Sequence, residues 1–174
     1  MREGKRVFWD MDGTLVNPFD IPDYLQKMNE SYEFFFNLPE YKNMLGALIL
    51  FVEKHSDKIP SKILSAGNGN PGCLPGKDFW LDTKIPNSTN VKIERIYTEI
   101  GKPKAAFIEG GIGPGDYLID DFSKNLLEWE AHGGTGIKLI NQINGSGKNW
   151  NKACVNIQDE PEAILAQIEK IIFE

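Results

Sequence analysis

Four short apolar runs, Arg6 to Trp9, Lys62 to Leu64, Arg95 to Tyr97 and Tyr117 to Ile119, stop at glycine or polar residues, and a fifth spans Gly136 to Ile140. Runs this short, apolar rather than alternating, suit strands covered on both faces. Between them apolar residues recur at helical spacing. Ser123 to Ala131 is one such segment and closes at Gly133; Pro161 to Phe173 is another, with Ile164, Leu165, Ile168, Ile171 and Ile172 on one stripe. Strands and helices in alternation predict a parallel α/β sheet.

One stretch breaks the alternation. Pro22 to Lys54 carries two helical patterns with no strand between them: Tyr24, Leu25, Met28, Tyr32, Phe35 and Phe36, then, after Pro39, Met44, Leu45, Leu48, Phe51 and Val52. This predicts a helical hairpin inserted after the first strand, a small cap over 18–58 within a single domain spanning 1–174. Gly67 to Gly76, dense in Gly, Asn and Pro, predicts a loop, followed by a short helix at Lys77 to Leu81 and another at Pro103 to Glu109. The run 145–149 is too short to divide the chain into two domains.

At 174 residues, 41% hydrophobic and 25% charged, the chain is long enough for one ordinary core. No apolar stretch approaches the ~18 residues of a membrane span, and the basic N-terminus meets carboxylates before any apolar signal core forms. Both points predict a cytoplasmic protein. Cys73 and Cys154 are expected as free thiols. A net charge of −6 without a Lys/Arg run argues against binding a nucleic-acid polymer, while leaving a single nucleotide possible as ligand.

The candidate chemistry collects at strand ends. Asp10 and Asp12 follow Val7-Phe8-Trp9, and alternate residues of an extended chain point the same way. Two carboxylates aimed at one spot repel unless a cation or a proton relieves them; a solvated turn is the plainer alternative. Asp120-Asp121 stand likewise after Tyr117-Leu118-Ile119, at the edge where open α/β sheets bind ligands, although Asp121 could simply cap the next helix. Such a cluster suits Mg²⁺, which takes few carboxylates, waters and a phosphate oxygen. Ser65, Ala66 and Gly67 place a hydroxyl and backbone N–H groups at the same edge, a cradle for phosphate oxygens. Lys102 and Lys104, flanking Pro103, could each reach the acidic cluster.

In order, DMDGT at Asp10 to Thr14, ILS ending at Ser65, a lysine at a helix start and LIDD ending at Asp121 resemble the motifs of the haloacid dehalogenase superfamily of phosphatases. The looser run of LSA, Lys77-x-x-Trp80-Leu81, LIDDFSKNLLEWE and GG-x-GIK resembles its small 5′(3′)-deoxyribonucleotidase-like members. The resemblance implies a Rossmann-like sheet with helices on both faces and a Mg²⁺-dependent phosphomonoester hydrolase acting on a small phosphate ester such as a nucleoside 5′-monophosphate. It makes Asp10 the nucleophile and Asp12 the acid and base. Asp10, Asp120, Asp121 and the Asp12 carbonyl would surround the metal, and Ser65 with Lys102 or Lys104 would hold the phosphoryl group.

A phospho-accepting receiver domain is the rival from another class, but its acceptor would have to be Asp57, after the polar Glu53-Lys54-His55-Ser56. Within the cap, Tyr32, Phe34, Phe35 and Phe36 form either a mini-core or a base-stacking surface; Phe34, off the stripe of its neighbours, is the stacking candidate. His55 and His132 fall outside every motif.

Overall fold

The computed structural model describes residues 4–85, 92–143 and 150–174; the run 145–149 lies outside them. Six strands form one all-parallel sheet: β1 (Arg6–Trp9), β2 (Ser61–Gly67), β3 (Glu94–Glu99), β4 (Asp116–Asp120), β5 (Thr135–Ile140) and β6 (Cys154–Asn156). Their spatial order is β3-β2-β1-β4-β5-β6. The chain winds outward from β1 in both directions, so the switch point lies between β1 and β4. At the opposite end of these two strands the Arg6 guanidinium grips Asp116 through two hydrogen bonds of 2.6 and 2.7 Å.

β1 is buried along its length because both of its faces are covered. On one side Phe8 packs with Leu118, Leu126 and Trp129, under α4 (Ser123–Ala131). On the other, Val7 and Trp9 meet the stripes of α2 (Lys42–His55) and α5 (Pro161–Phe173). The second half of the expected cap is therefore a core helix. α2 is the crossover from β1 to β2, and it lies along α5 with Lys54 and His55 both bonded to Glu169. Helical periodicity reveals an apolar face but not the surface that face meets, and the fold spends this one on the sheet.

What remains over the carboxyl-terminal edge of the sheet is shorter. α1 (Tyr24–Glu30) has no buried residue, and the tight turn Phe34–Asn37 tucks Phe34 and Phe35 inward, with Phe35 against α3 (Cys73–Lys84). Asn68 and Asn70, just beyond β2, bond the carbonyls of Met28 and Ser31 at 2.8–3.0 Å and pin this segment to the sheet edge. α3 is longer than its expected core at 77–81, and the expected helix at 103–109 is a single 3₁₀ turn over Lys104–Phe107. β6 has only Val155 fully buried, too little to register as a pattern. Both cysteines are free thiols, and among the described residues no helix is long and apolar enough to cross a membrane.

Candidate active site

Trp9 stands opposite Ile119 in the β1–β4 register, and the Asp10 N–H donates to the Ile119 carbonyl at 2.9 Å. That register sets Asp10 beside Asp120 where both strands end, with Asp121 next in the chain. One carboxylate oxygen from each of the three lies within 4.8 Å of the others, and all three residues are buried. Lys104 Nζ bridges two of them, donating to Asp10 at 2.6 Å and Asp120 at 2.7 Å. Lys102 does not reach them; it is exposed.

The carboxylates are held from behind. Asp120 accepts hydrogen bonds from the Phe122 N–H and the Asn125 amide, each at 2.8 Å. Asn141 donates at 2.8 Å both to Asp121 and to the Gly13 carbonyl, tying the loop after β1 to the loop after β4. Gly13 adopts φ +82°, and a Cβ there would lie 2.4 Å from an Asp121 oxygen, so the glycine of DMDGT makes room for a carboxylate.

Burial drives the Asp10 carboxyl well above its ordinary range; Lys104 opposes the rise, while Asp120, Asp12 and Asp121 add to it. For Lys104 burial works against the charge, yet Asp10 and Asp120 outweigh it and hold the ammonium above its usual value. Lys138, also buried, donates to the Asp121 backbone carbonyl, and burial lowers its grip on the proton despite the nearby carboxylates. Three carboxylates share the one bridging ammonium of Lys104, and their donors are hard oxygens. The cluster fits a Mg²⁺ ion.

Asp12 turns away from this group. Its carboxylate accepts from Lys77 Nζ at 2.5 Å, and the same ammonium, with none of its surface exposed, donates to Ser65 Oγ at 2.8 Å and the Ala66 carbonyl at 2.7 Å. Ser65 is itself fully buried at the end of β2. Lys77 therefore joins Asp12 and Ser65, a site role that the motif pattern does not predict for it. A signal was present: Cys73, Gly76, Lys77, Trp80 and Leu81 form the buried stripe of α3, and a lysine in such a stripe requires buried partners.

Phe34 is 7% exposed with its ring edge-on to Phe35, so it packs and offers no stacking face. Gly67 lies against Leu74, where a Cβ would come within 2.9 Å. Asp57 precedes β2, at the edge opposite the carboxylates, which removes the geometry a receiver domain needs. His55 pairs with Glu169 and His132 bonds the Glu128 carbonyl, both away from the cluster. Among the described residues, Thr14 Oγ1, the Tyr41 hydroxyl and Thr98 Oγ1 are buried without a hydrogen-bond partner. All three border the site: Thr14 belongs to DMDGT, Thr98 pairs with Ala66 across β2–β3, and the Tyr41 phenol is pushed up to about 12 by burial and by Asp121.

The architecture is that of haloacid dehalogenase-like hydrolases. The D,D-heptose 1,7-bisphosphate phosphatase of Burkholderia thailandensis superposes with a TM-score of 0.63 at 11% identity, over 95% of this chain and 98% of that one. The D,D-heptose 1,7-bisphosphate phosphatase of B. bronchiseptica, complexed with magnesium and phosphate, gives 0.64 at 12% identity over 96% and 99%. A haloacid dehalogenase-like hydrolase of Streptococcus pneumoniae gives 0.58 at 13% identity over 97% and 100%. No family model and no curated protein matches the sequence. At such identities the likeness is one of fold, and function rests on this chain's own residues.

Proposed function

We propose that the protein is a Mg²⁺-dependent phosphomonoester hydrolase that works through an aspartyl-phosphate on Asp10. The observation that carries this reading is the pair of linked groups at the switch point: Asp10 and Asp120 bridged by Lys104, beside Asp12 and Ser65 bridged by Lys77. In this reading Asp10 is the nucleophile and Asp12 the acid–base carboxylate, each beside its own ammonium.

In this mechanism Asp12 enters the step as the carboxylic acid: an Asp10 oxygen attacks phosphorus while the P–O bond to the leaving alkoxide breaks, and Asp12 gives the alkoxide its proton. Asp12, now ionised, takes a proton from a water whose oxygen attacks the aspartyl-phosphate. Inorganic phosphate departs and Asp10 returns to a carboxylate. Ser65 and Lys104 hold the equatorial oxygens, where the transition-state charge lies. Asp10, Asp120, Asp121 and the Asp12 carbonyl would hold Mg²⁺, which supplies the positive charge that these carboxylates and the phosphoryl group together lack. Full loss of phosphatase turnover in excess chelator, with recovery on adding Mg²⁺, is the expected result; undiminished activity without the ion would count against the reading.

The substrate in this proposal is small, since only the short segment 18–41 is left to cover the site. Nucleoside 5′-monophosphates are the first class to screen, on the strength of the motif resemblance. With Phe34 buried, Phe122, 47% exposed and next to Asp121, is an aromatic ring that a substrate at the carboxylate edge can meet.

A further inference from the structure

Beside the carboxylates, on the side away from the segment 18–41, a pocket of about 210 Å³ opens between the end of β3, the turn at Lys104 and the start of α4. Its inner wall is shared with the site. Ala66, Lys104 and Asn125 line it, and these residues contact Lys77, Asp10 and Asp120 respectively. We infer that this pocket receives the leaving group of the phosphate ester and that it is built for a hydroxylated sugar ring. The inference rests on the phosphatase reading and adds where the non-reacting half of the substrate lies.

Three features carry it. Thr98, 4% exposed, is one of the lining residues, and its buried hydroxyl has no partner among the described residues. An unmet buried hydroxyl is costly, and a hydroxyl on the ligand satisfies it. Phe122 and Ile100, 47% and 62% exposed, supply an apolar wall for the C–H face of a ring. The charged residues at the rim offset one another, Lys102 and Lys124 against Glu99 and Glu128, so the pocket selects a neutral polar group rather than a second anion. Its volume falls below the roughly 300–1,000 Å³ of pockets that enclose drug-sized ligands, which suits a single ring. On the other side of the site Tyr32, Phe36 and Phe79 stack in series at 5.6 and 5.5 Å and engage one another.

A sugar ring can arrive as a free sugar phosphate or as the ribose of a nucleoside 5′-monophosphate. The test measures kcat/KM of the Mg²⁺-loaded protein for ribose 5-phosphate, adenosine 5′-monophosphate and phenyl phosphate. It compares wild type with Thr98→Val, Phe122→Ala and Tyr32→Ala. Valine is nearly isosteric with threonine and suits a strand, and Phe122 and Tyr32 are exposed, so the fold survives each change. The preference for a sugar-bearing ester over phenyl phosphate is expected to fall about tenfold in Thr98→Val and in Phe122→Ala, and to persist in Tyr32→Ala. The better of the two sugar esters identifies the source of the ring. Equal losses on all three substrates, or a preference that shifts only in Tyr32→Ala, would overturn the pocket assignment while leaving the phosphatase intact. No turnover of any ester by wild type would remove the phosphatase reading and this inference with it.

Discussion

Asp10→Asn is expected to abolish turnover, by at least about 10³-fold, while the metal-free protein melts no lower than wild type. The loss follows from chemistry: an amide is almost the size of a carboxylate but cannot take over its attack on phosphorus, and removing a nucleophile costs orders of magnitude in other covalent enzymes. The stability follows from electrostatics. Burial and three neighbouring carboxylates disfavour the ionised form of Asp10, so a neutral side chain relieves repulsion. Lys104 keeps Asp120 as partner. Thermal unfolding in chelator, set beside phosphatase assays with Mg²⁺, separates the two effects. A variant hydrolysing phenyl phosphate at near the wild-type rate would show that Asp10 is not the nucleophile.

Lys104→Met has the second large effect, and here the fold suffers as well. The ammonium is 5% exposed between Asp10 and Asp120, and without it buried carboxylates face one another. Removing one partner of a buried ion pair costs about 3–5 kcal/mol. The pH dependence has a definite sign. Without Lys104, the remaining force on Asp10 is upward, so its folded pKa stands above the unfolded value of about 4. An acid raised in this way leaves stability intact below the unfolded pKa and removes it as pH climbs toward the folded one. Metal-free Lys104→Met is therefore expected to be most stable near pH 4–5 and to weaken toward pH 8, a slope read from urea unfolding across that range. A variant as stable as wild type at neutral pH would mean that Lys104 does not compensate these carboxylates.

Much of this site could be read from the chain because it stands on strands. Val7-Phe8-Trp9 and Tyr117-Leu118-Ile119 are apolar runs that stop at carboxylates, and parallel pairing brings those stops together. The strand ends at Trp9 and Ile140 and the spans of α4 and α5 are as the pattern predicts. What escaped depended on tertiary contacts. The stripe of α2 carries the same periodicity whether it roofs a site or covers a sheet. Only its contact with α5 distinguishes the two. Lys102 and Lys104 lie two residues apart and their spacing does not distinguish them; only Lys104, which opens the 3₁₀ turn, is buried. Lys77 enters the site from α3, 65 residues along the chain from Asp12, so spacing alone could not connect the two.

The β1–β4 register has a consequence for how such a protein can change over evolutionary time. Asp10 and Asp120 are aligned by backbone hydrogen bonds of the sheet, whereas the segment 18–41 and the residues around Thr98 and Phe122 belong to strand ends and connecting loops. Insertions and substitutions in those connections can remodel what surrounds the ester without moving the carboxylates. The architecture divides inheritance in two, a fixed reaction centre and a replaceable vestibule. A library confined to 98–102 and to Phe122, Lys124 and Glu128, leaving Asn125 and Leu126 in place, should therefore shift substrate choice far more often than it destroys turnover.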